Sequence, residues 1–495
     1  MAFYITTAID YVNGVPHLGH AYEKIATDIL ARNARQRGED VFFLTGTDEH
    51  GESVADAAAA AGISPQELAD RNAGRFRALI DALELSNDFF IRTTDPEHIA
   101  RVQEILQRVY DAGHVYLGTY EGWYCPRCAD FKTEADTGPG NTCLIHGIPL
   151  DSQSEENYFF RLSSFQSQLE ELFSSRPDFV LPRHQFNAAQ SFLASGLTDV
   201  SLTRKKLTWG VPVPWDQSHV FYVWFDALLN YVTALGYAEP GSDLTARFWP
   251  AAFHVIGKDI LKFHTIYWPA LLIAADLEIP RHVWVHGFLF GPDGEKMSKS
   301  AGNVLDPFEV IDEFGADVLR HYLFREVTAG QDGPVSLDGV RTRYETELAN
   351  EYGNLASRTL NMLERYTASE VPAVPLDGAL REDLAGLAAR TDALLDRAEI
   401  STALEEIWQS VRRLNRYVEE KAPWQMARTS APELPMVLAS LAEGLRVVTV
   451  ALAPFMPAKT AELLGALGRP DLTAREFADV GWGCAASSLP ALFPK

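Results

Sequence analysis

Two histidines three residues apart, His17 and His20, and a cationic pentapeptide far downstream, Lys296-Met297-Ser298-Lys299-Ser300, are the residues of this chain best suited to handling polyphosphate. Imidazoles on the first turn of a helix can donate hydrogen bonds to phosphate oxygens, at the end where unpaired N–H groups and the dipole already favour an anion. Gly19 between them leaves room for a flat ring. Lys296 and Lys299 can meet the charge that develops when an α-phosphate is attacked and pyrophosphate departs, and the small Ser298 and Ser300 leave the backbone room to bend. Taken singly, the first segment reads as surface histidines and the second as a solvated lysine loop; their pairing and order carry the argument.

Those residues need elements to hold them. Phe3-Tyr4-Ile5-Thr6-Thr7 predicts a strand, and Asn13-Gly14 with Pro16 predicts a loop. Leu18, Tyr22, Ile25, Ala26, Ile29 and Leu30 recur at helical spacing, and Val41-Phe42-Phe43-Leu44 predicts a second strand, so the histidines open the helix of a βαβ unit. No glycine-rich dinucleotide fingerprint follows the first strand and no P-loop lysine motif occurs, which argues against a dehydrogenase or a P-loop enzyme. Phe253-His254-Val255-Ile256-Gly257 predicts a buried strand with Lys258 and Asp259 at its carboxyl end and a helix from Ile260, where doubly wound sheets hold ligands. Val283 to Phe290 has a strand pattern, and the turn Gly291-Pro292-Asp293-Gly294 leads into the lysine loop.

Cys125, Cys128, Cys143 and His146 stand as C-x2-C and C-x2-H pairs. Two tight knuckles can present three thiolates and an imidazole to zinc as a closed tetrahedron, which is a structural rather than a catalytic site. Asp130 and Glu134 nearby read as solvated, and Cys484 has no partner in sequence. With 495 residues, 47% hydrophobic and 22% charged, the chain suits a globular protein of two or three domains. No apolar run approaches a membrane span, the N-terminus lacks a basic leader, and four cysteines argue against a disulfide framework; a cytoplasmic protein is expected. The net charge of −24 predicts that any RNA is held on a local basic face, with salt-sensitive affinity and little general nucleic-acid binding.

In their order, the two polyphosphate segments resemble the signatures of class I aminoacyl-tRNA synthetases. Within that class the chain is similar over nearly its whole length to the methionine-specific branch. The resemblance rests on Thr6-Thr7-Ala8-Ile9-Asp10-Tyr11-Val12-Asn13-Gly14, Thr45-Gly46-Thr47-Asp48-Glu49-His50-Gly51, Phe221-Tyr222-Val223-Trp224-Phe225-Asp226-Ala227, Gly257-Lys258-Asp259-Ile260, Phe263-His264 and the cysteine knuckles. Asp10 stands where the family often has proline or tyrosine, and Leu228 where proline is common. The resemblance implies an α/β, doubly wound Rossmann-like catalytic domain with a zinc-knuckle insertion and a C-terminal α-helical anticodon-binding bundle. Its parts fall at 1–112 and 225–327 for the catalytic halves, 113–224 for the insertion, 328–340 for a linker and stem-contact region, and 341–495 for the bundle.

The resemblance also implies a reaction: ATP activates L-methionine to methionyl-adenylate, and the aminoacyl group passes to the 3′ end of methionine tRNA, initiator and elongator, with Mg2+ on the pyrophosphate. ATP contacts are implied for His17, Gly19, His20, Gly257, Lys258, Asp259, Lys296, Met297, Ser298, Lys299 and Ser300. Of these, His17, His20, Lys258, Lys296 and Lys299 would stabilise charge, with no side-chain nucleophile. Methionine contacts are implied for Ala8, Ile9, Tyr11, Asp48, Trp224, Ala227, Leu228, Tyr231, Ile260 and His264. Trp224, Ala227, Leu228 and Tyr231 fall at i, i+3, i+4 and i+7, and His264 and Trp268 at i and i+4, so each set shares a helical face. Aromatic edges and small apolar groups suit a polarizable thioether, and Asp48 can accept from an ammonium.

Ala316 to Arg320 predicts a helix below the active site, and Thr328 to Leu337 a linker. Beyond it, helical periodicity broken by Val371-Pro372-Ala373-Val374-Pro375 and Pro423 predicts a bundle. There Asn354, Arg358 and Trp424 resemble the family's anticodon-reading positions, Trp424 as a stacking platform for an unpaired base. The stretch from Arg469 is too short for the dimerisation module of some members, so a monomer is expected. The alternative within the class is a cysteinyl- or branched-chain synthetase, and the branched-chain members would need a large editing insertion where 113–224 is short and carries the cysteine motif. A small-molecule nucleotidyltransferase would leave the helical third idle, and a non-catalytic tRNA binder would have lost the lysines or a histidine.

Overall fold

Tyr4, Ile5, Thr6 and Thr7 are all fully buried, as a strand covered on both faces of a parallel sheet must be. They belong to a seven-stranded sheet in a computed structural model that describes all residues except 1, 127–129, 133–136, 146, 240, 293, 295–304 and 495. The chain divides into two compact units: residues 1–16, 41–81 and 87–285, and residues 17–40, 82–86 and 286–495.

The first unit holds the sheet. Its strands are β1 (Ala2–Thr7), β2 (Asp10–Tyr11), β3 (Asp40–Asp48), β4 (Phe89–Arg92), β5 (Val180–Leu181), β6 (Ala252–Gly257) and β7 (His282–His286). They run in the order β5-β7-β6-β1-β3-β2, with β4 also on β3. β1 pairs β6 in parallel, Thr7 opposite Val255, and β3 pairs both β2 and β4 in parallel, Asp48 opposite Tyr11 and Thr47 opposite Arg92. The residues following β1, β3 and β6 therefore emerge together at the carboxyl edge: Ala8 donates its N–H to Val255 O at 3.0 Å, and Val12 donates to Asp48 O at 3.1 Å. Gly46 permits the close approach of β4, because a Cβ there would lie 2.2 Å from Ile91 O.

Between β4 and β5 an antiparallel ladder pairs Val115–Cys125 with Asp151–Phe160, from Val115 opposite Phe160 to Tyr124 opposite Asp151. Asp130–Lys132 and Val200–Ser201 flank it. After β6 the chain forms a tight turn over Lys258–Ile260, a widened π stretch over Phe263–Tyr267 and an α-helix over Trp268–Ala274. Sequence periodicity predicted one regular helix here. The π stretch instead shifts the facing of His264 relative to Trp268, a distortion frequent where a helix serves a site.

The second unit is helical. The Leu18–Gln36 helix is tied within it by Gln36 Nε2 to Val450 O at 2.8 Å and by Arg35 to Ser86. Ala316–Glu326 packs on it through Tyr22, which stacks on Phe324 with ring centroids 4.8 Å apart. Fully buried Arg320 donates Nη2 to Asp28 Oδ2 at 2.6 Å and covers Phe455 O and Pro454 O, while Asp28 also accepts from Arg32 and Ser86. The segment predicted as a linker pairs Gly333–Pro334 with Leu289–Phe290. From Leu337 a helical rod runs through a π stretch at Tyr344–Gly353 into Asn354–Thr367. Helices Ile400–Lys421 and Leu434–Leu452 complete the bundle.

Contrary to the sequence reading, Leu434–Leu452 is apolar and long enough to cross a membrane, with mean hydropathy 1.5. It is a core helix: 78% of that window is buried, and it carries the buried ion pair of Glu443 with Arg446.

Removing one partner of a buried pair strands the other charge. Arg320→Leu should cost about 3–5 kcal/mol in urea unfolding, and the double variant with Asp28→Leu should recover a large part of it. A loss below about 1 kcal/mol would show that water reaches Asp28.

Candidate active site

At the carboxyl edge of the sheet a set of aromatic and imidazole rings shares one set of hydrogen bonds. Tyr231 is buried, its ring centroid 4.1 Å from that of His254, and its backbone carbonyl is fixed by Tyr4 Oη at 2.7 Å. His264 Nδ1 lies 3.1 Å from Ile260 O, which can only accept, so the proton sits there and Nε2 accepts from Tyr231 Oη at 2.8 Å. His254 is fixed the same way: Trp268 Nε1–H donates to its Nε2 at 3.3 Å, and Nδ1–H donates to Thr6 Oγ1 at 2.9 Å. Burial drives both imidazoles towards the neutral form, His264 to about 4 and His254 well below the usual histidine range, with His264 adding to the effect on His254. The result is a dry, uncharged wall.

Trp224 stacks on Phe263, centroids 3.8 Å apart and planes at 7°, and presents its edge to His264. Ala227, Leu228 and Tyr231 are buried beside it, while Ala8, Ile9, Tyr11 and Ile260 are half-buried. The two helical faces read from spacing thus meet, although Tyr231 belongs to a separate turn, Asn230–Thr233, after Val223–Leu228.

A buried carboxyl group stands at the carboxyl end of β3. Asp48 is 8% exposed and its Oδ1 has no hydrogen-bond partner among the described residues. Burial, then Asp226 and Glu49, push its carboxyl well above the usual range. Glu49 is neutralised by Arg92, whose Nε and Nη2 lie 2.7 and 2.9 Å from its oxygens. Asp226 lies between His50 and His98. Lys258 stands half-exposed directly after β6, beside Gly257 and Asp259.

In the second unit His17 and His20 cap the Leu18–Gln36 helix reciprocally: His17 Nδ1 accepts from Gly19 N–H and His20 Nδ1 accepts from His17 N–H, each at 3.1 Å. Their rings stack 3.7 Å apart. With both Nδ1 atoms accepting, the neutral rings carry their protons on Nε2, the form that donates to an anion. Burial, then His17, Lys24 and His286, keep His20 neutral. A Cβ on Gly19 would meet the His17 ring at 3.0 Å, so the glycine serves the capping geometry.

Farther along the same unit, Arg358 lies 5.7 Å from the Trp424 ring centroid and donates Nη2 to Glu419 at 2.8 Å, while Asn354 is exposed one turn earlier. Ala422, at φ +45°, ends one helix and Pro423 starts the next, which sets Trp424 at the break. In the insertion, Cys125 and Cys143 are buried in one cluster with Leu150, and Gly147 N–H donates to Cys143 O at 2.7 Å. Lys296, Met297, Ser298, Lys299, Ser300, Cys128 and His146 lie outside the described residues.

Several functional groups had no assignment from sequence. His254, His50 and Asp226 stand within strand or motif segments whose alternation gives no sign of a polar role. His98 sits in a helix whose pattern marks it only as buried, and Arg92 pairs with Glu49 across strands.

Because folded His264 takes up its proton only near 4 whereas an unfolded histidine does so near 6.5, the unfolded chain binds more protons between those values. Stability should therefore fall as pH drops from 6.5 towards 4, by up to about 3 kcal/mol from this group. NMR of the His264 ring should show no titration between pH 8 and about 5; a midpoint near 6.5 would contradict the dry pocket.

The family model described as tRNA synthetases class I (M) matches residues 3–143 and 139–360. The methionine–tRNA ligase of Rhizobium meliloti is 45% identical across 100% of this chain and 97% of its own length. That of Mesorhizobium japonicum is 46% identical, over 94% and 92%. Among solved structures, Mycobacterium tuberculosis methionyl-tRNA synthetase in complex with methionyl-adenylate superposes with a TM-score of 0.96 at 40% identity, covering 100% of both chains. Its apo form gives 0.88 at 36% identity, covering 100% of this chain and 98% of that one. Identity at this level from end to end, on a fold that agrees over the same length, has one consequence: the chain belongs to the methionyl-tRNA synthetases of class I.

Proposed function

We propose that this protein activates L-methionine with ATP and transfers it to the 3′ end of methionine tRNA. The observation that carries the reading is the neutral Tyr231, His264 and Trp224 wall in the same unit as the buried Asp48 oxygen that has no partner among the described residues. An uncharged aromatic wall suits a thioether, which ionised side chains would not match. The open Asp48 oxygen suits an ammonium.

The methionine carboxylate attacks the α-phosphorus of ATP, a C–O–P link forms, and the bond to pyrophosphate breaks. A terminal hydroxyl of the tRNA then attacks the adenylate carbonyl and AMP leaves. No protein nucleophile is needed, so the chain's part is positioning and charge stabilisation. We assign His17 and His20 Nε2–H, Lys258, Lys296 and Lys299 to the phosphates, with Mg2+ arriving on ATP. Gly19, Gly257, Asp259, Met297, Ser298 and Ser300 line the nucleotide. Asn354, Arg358 and Trp424 read the anticodon, supported by the guanidinium beside the indole.

Cys125, Cys128, Cys143 and His146 hold a structural zinc in this reading. Support comes from the two described cysteines, buried in one cluster, Cys125 at the end of its strand and Cys143 on a turn closed by the Gly147 N–H. Zinc would stabilise the insertion without entering the reaction. We further propose that the enzyme acts in the cytoplasm as a monomer; four cysteines in 495 residues support a reducing compartment.

ATP–pyrophosphate exchange run across the twenty amino acids should respond to methionine alone; exchange driven equally by another amino acid would remove the assignment. Trp424→Ala should reduce aminoacylation by about tenfold, the loss of one stacked base, and leave tRNA-independent exchange near wild type. A parallel fall in both would make Trp424 a core residue. Elemental analysis should find one zinc per chain, and Cys143→Ala should lower the thermal stability of the insertion before it weakens ATP binding. Protein with no zinc and unchanged stability would end the metal assignment.

A further inference from the structure

Asp226 is fully buried on the helix that carries Trp224, Ala227 and Leu228. Its oxygens accept from histidines of two other segments, His50 Nδ1 at 2.6 Å and His98 Nε2 at 2.9 Å, and His98 Nδ1 is held by Thr233 Oγ1 at 2.7 Å. Burial alone would raise this carboxyl, but the two histidines hold it at about 2, so it is a fixed negative charge. Asp48, two residues before His50 in the same unit, keeps Oδ1 without a hydrogen-bond partner among the described residues. The groups that face Asp48 are Tyr11, Glu49 with its Arg92, the His50 backbone, and Asp226.

We propose that Asp226 is a positioning residue for the amino-acid substrate: clamped between His50 and His98, it fixes the Asp48-Glu49-His50 turn against the Trp224 helix, and its charge makes Asp48 a receptor for a cation. The proposal rests on the methionine reading above. With Glu49 paired and Asp226 ionised, a second lone carboxylate is unfavourable in this dry site until an ammonium arrives. Methionine binding therefore releases the Asp48 proton to solvent as the ammonium contact forms. The clamp sets both the place and the charge of that contact.

The test is the pH profile of methionine-dependent ATP–pyrophosphate exchange in wild type and Asp226→Asn. Removing the charge lets Asp48 ionise more easily, so the acid limb of kcat/KM for methionine should move down by about one pH unit or more. Loss of the clamp should raise KM for methionine about tenfold, with kcat and KM for ATP within about twofold. An acid limb that stays in place, or kcat and KM for ATP changing as much as KM for methionine, overturns the proposal. Wild-type exchange that ignores methionine would overturn it by removing the substrate reading, a failure seen without any variant.

If Asp226→Asn does not fold, His98→Leu and His98→Gln decide. The first deletes a donor to Asp226 and should raise KM for methionine at least about threefold; the second restores a donor and should return it to within about twofold. Equal values in the two overturn the clamp.

Discussion

A carboxyl group buried with one oxygen unpartnered costs a fold about 1–3 kcal/mol, and more when ionised, so it persists only where its surroundings are built around it. Asp48 is such a group. Parallel pairing of β3 with β2 brings Asp48 opposite Tyr11 at the carboxyl edge of the sheet. Glu49, next in sequence, is neutralised by Arg92 from β4, and His50, next again, is bound to Asp226. Three successive residues thus carry charge-bearing side chains in a dry place, and two of the three find partners within the protein. The third is open to a substrate.

The apolar side of the pocket follows the same economy of charge. Histidines could place cations against a thioether, but burial keeps His254 and His264 neutral, and a one-way partner fixes each tautomer, the donating Trp268 N–H on His254 and the accepting Ile260 carbonyl on His264. Tyr231 joins the two, packed at a tilt against one ring and donating to the other. The second unit answers a different demand, because in the proposed function His17 and His20 stay neutral and present Nε2–H to an anion. Their reciprocal capping of a helix achieves both. That helix is anchored through Asp28 to Arg320, a joint that fixes geometry more than it adds net stability.

Local pattern made much of this legible. The strand–loop–helix around His17 and the strand ending at Gly257 depend on residues close in sequence and form where pattern placed them, whereas Tyr231 falls on a separate turn from Trp224 and His264 falls on a π stretch. What local pattern misses is long-range or irregular. The β4 arginine that pairs Glu49 and the His98 that completes the Asp226 clamp come from segments with no motif of their own. The π stretch at Phe263–Tyr267 breaks the 3.6-residue period that sequence reading assumes, and Leu434–Leu452, rich in leucine and valine, reaches a mean hydropathy of 1.5 although Glu443 and Arg446 interrupt its apolar run. The histidine pair read as phosphate donors also has a structural task, capping its own helix, which spacing alone does not distinguish.

The central claim is that one open carboxylate oxygen and a neutral aromatic wall divide recognition of methionine between them. Competition binding of three ligands to the intact protein tests it directly: methionine, its isostere with a methylene in place of sulfur, and its analogue with a hydroxyl in place of the ammonium. Losing the ammonium leaves Asp48 unpaired and should weaken binding by at least about a hundredfold, whereas losing the sulfur changes only shape and polarizability and should cost no more than about tenfold. A hydroxy analogue that binds within about threefold of methionine would contradict the account, since Asp48 would then not be the group that receives the substrate.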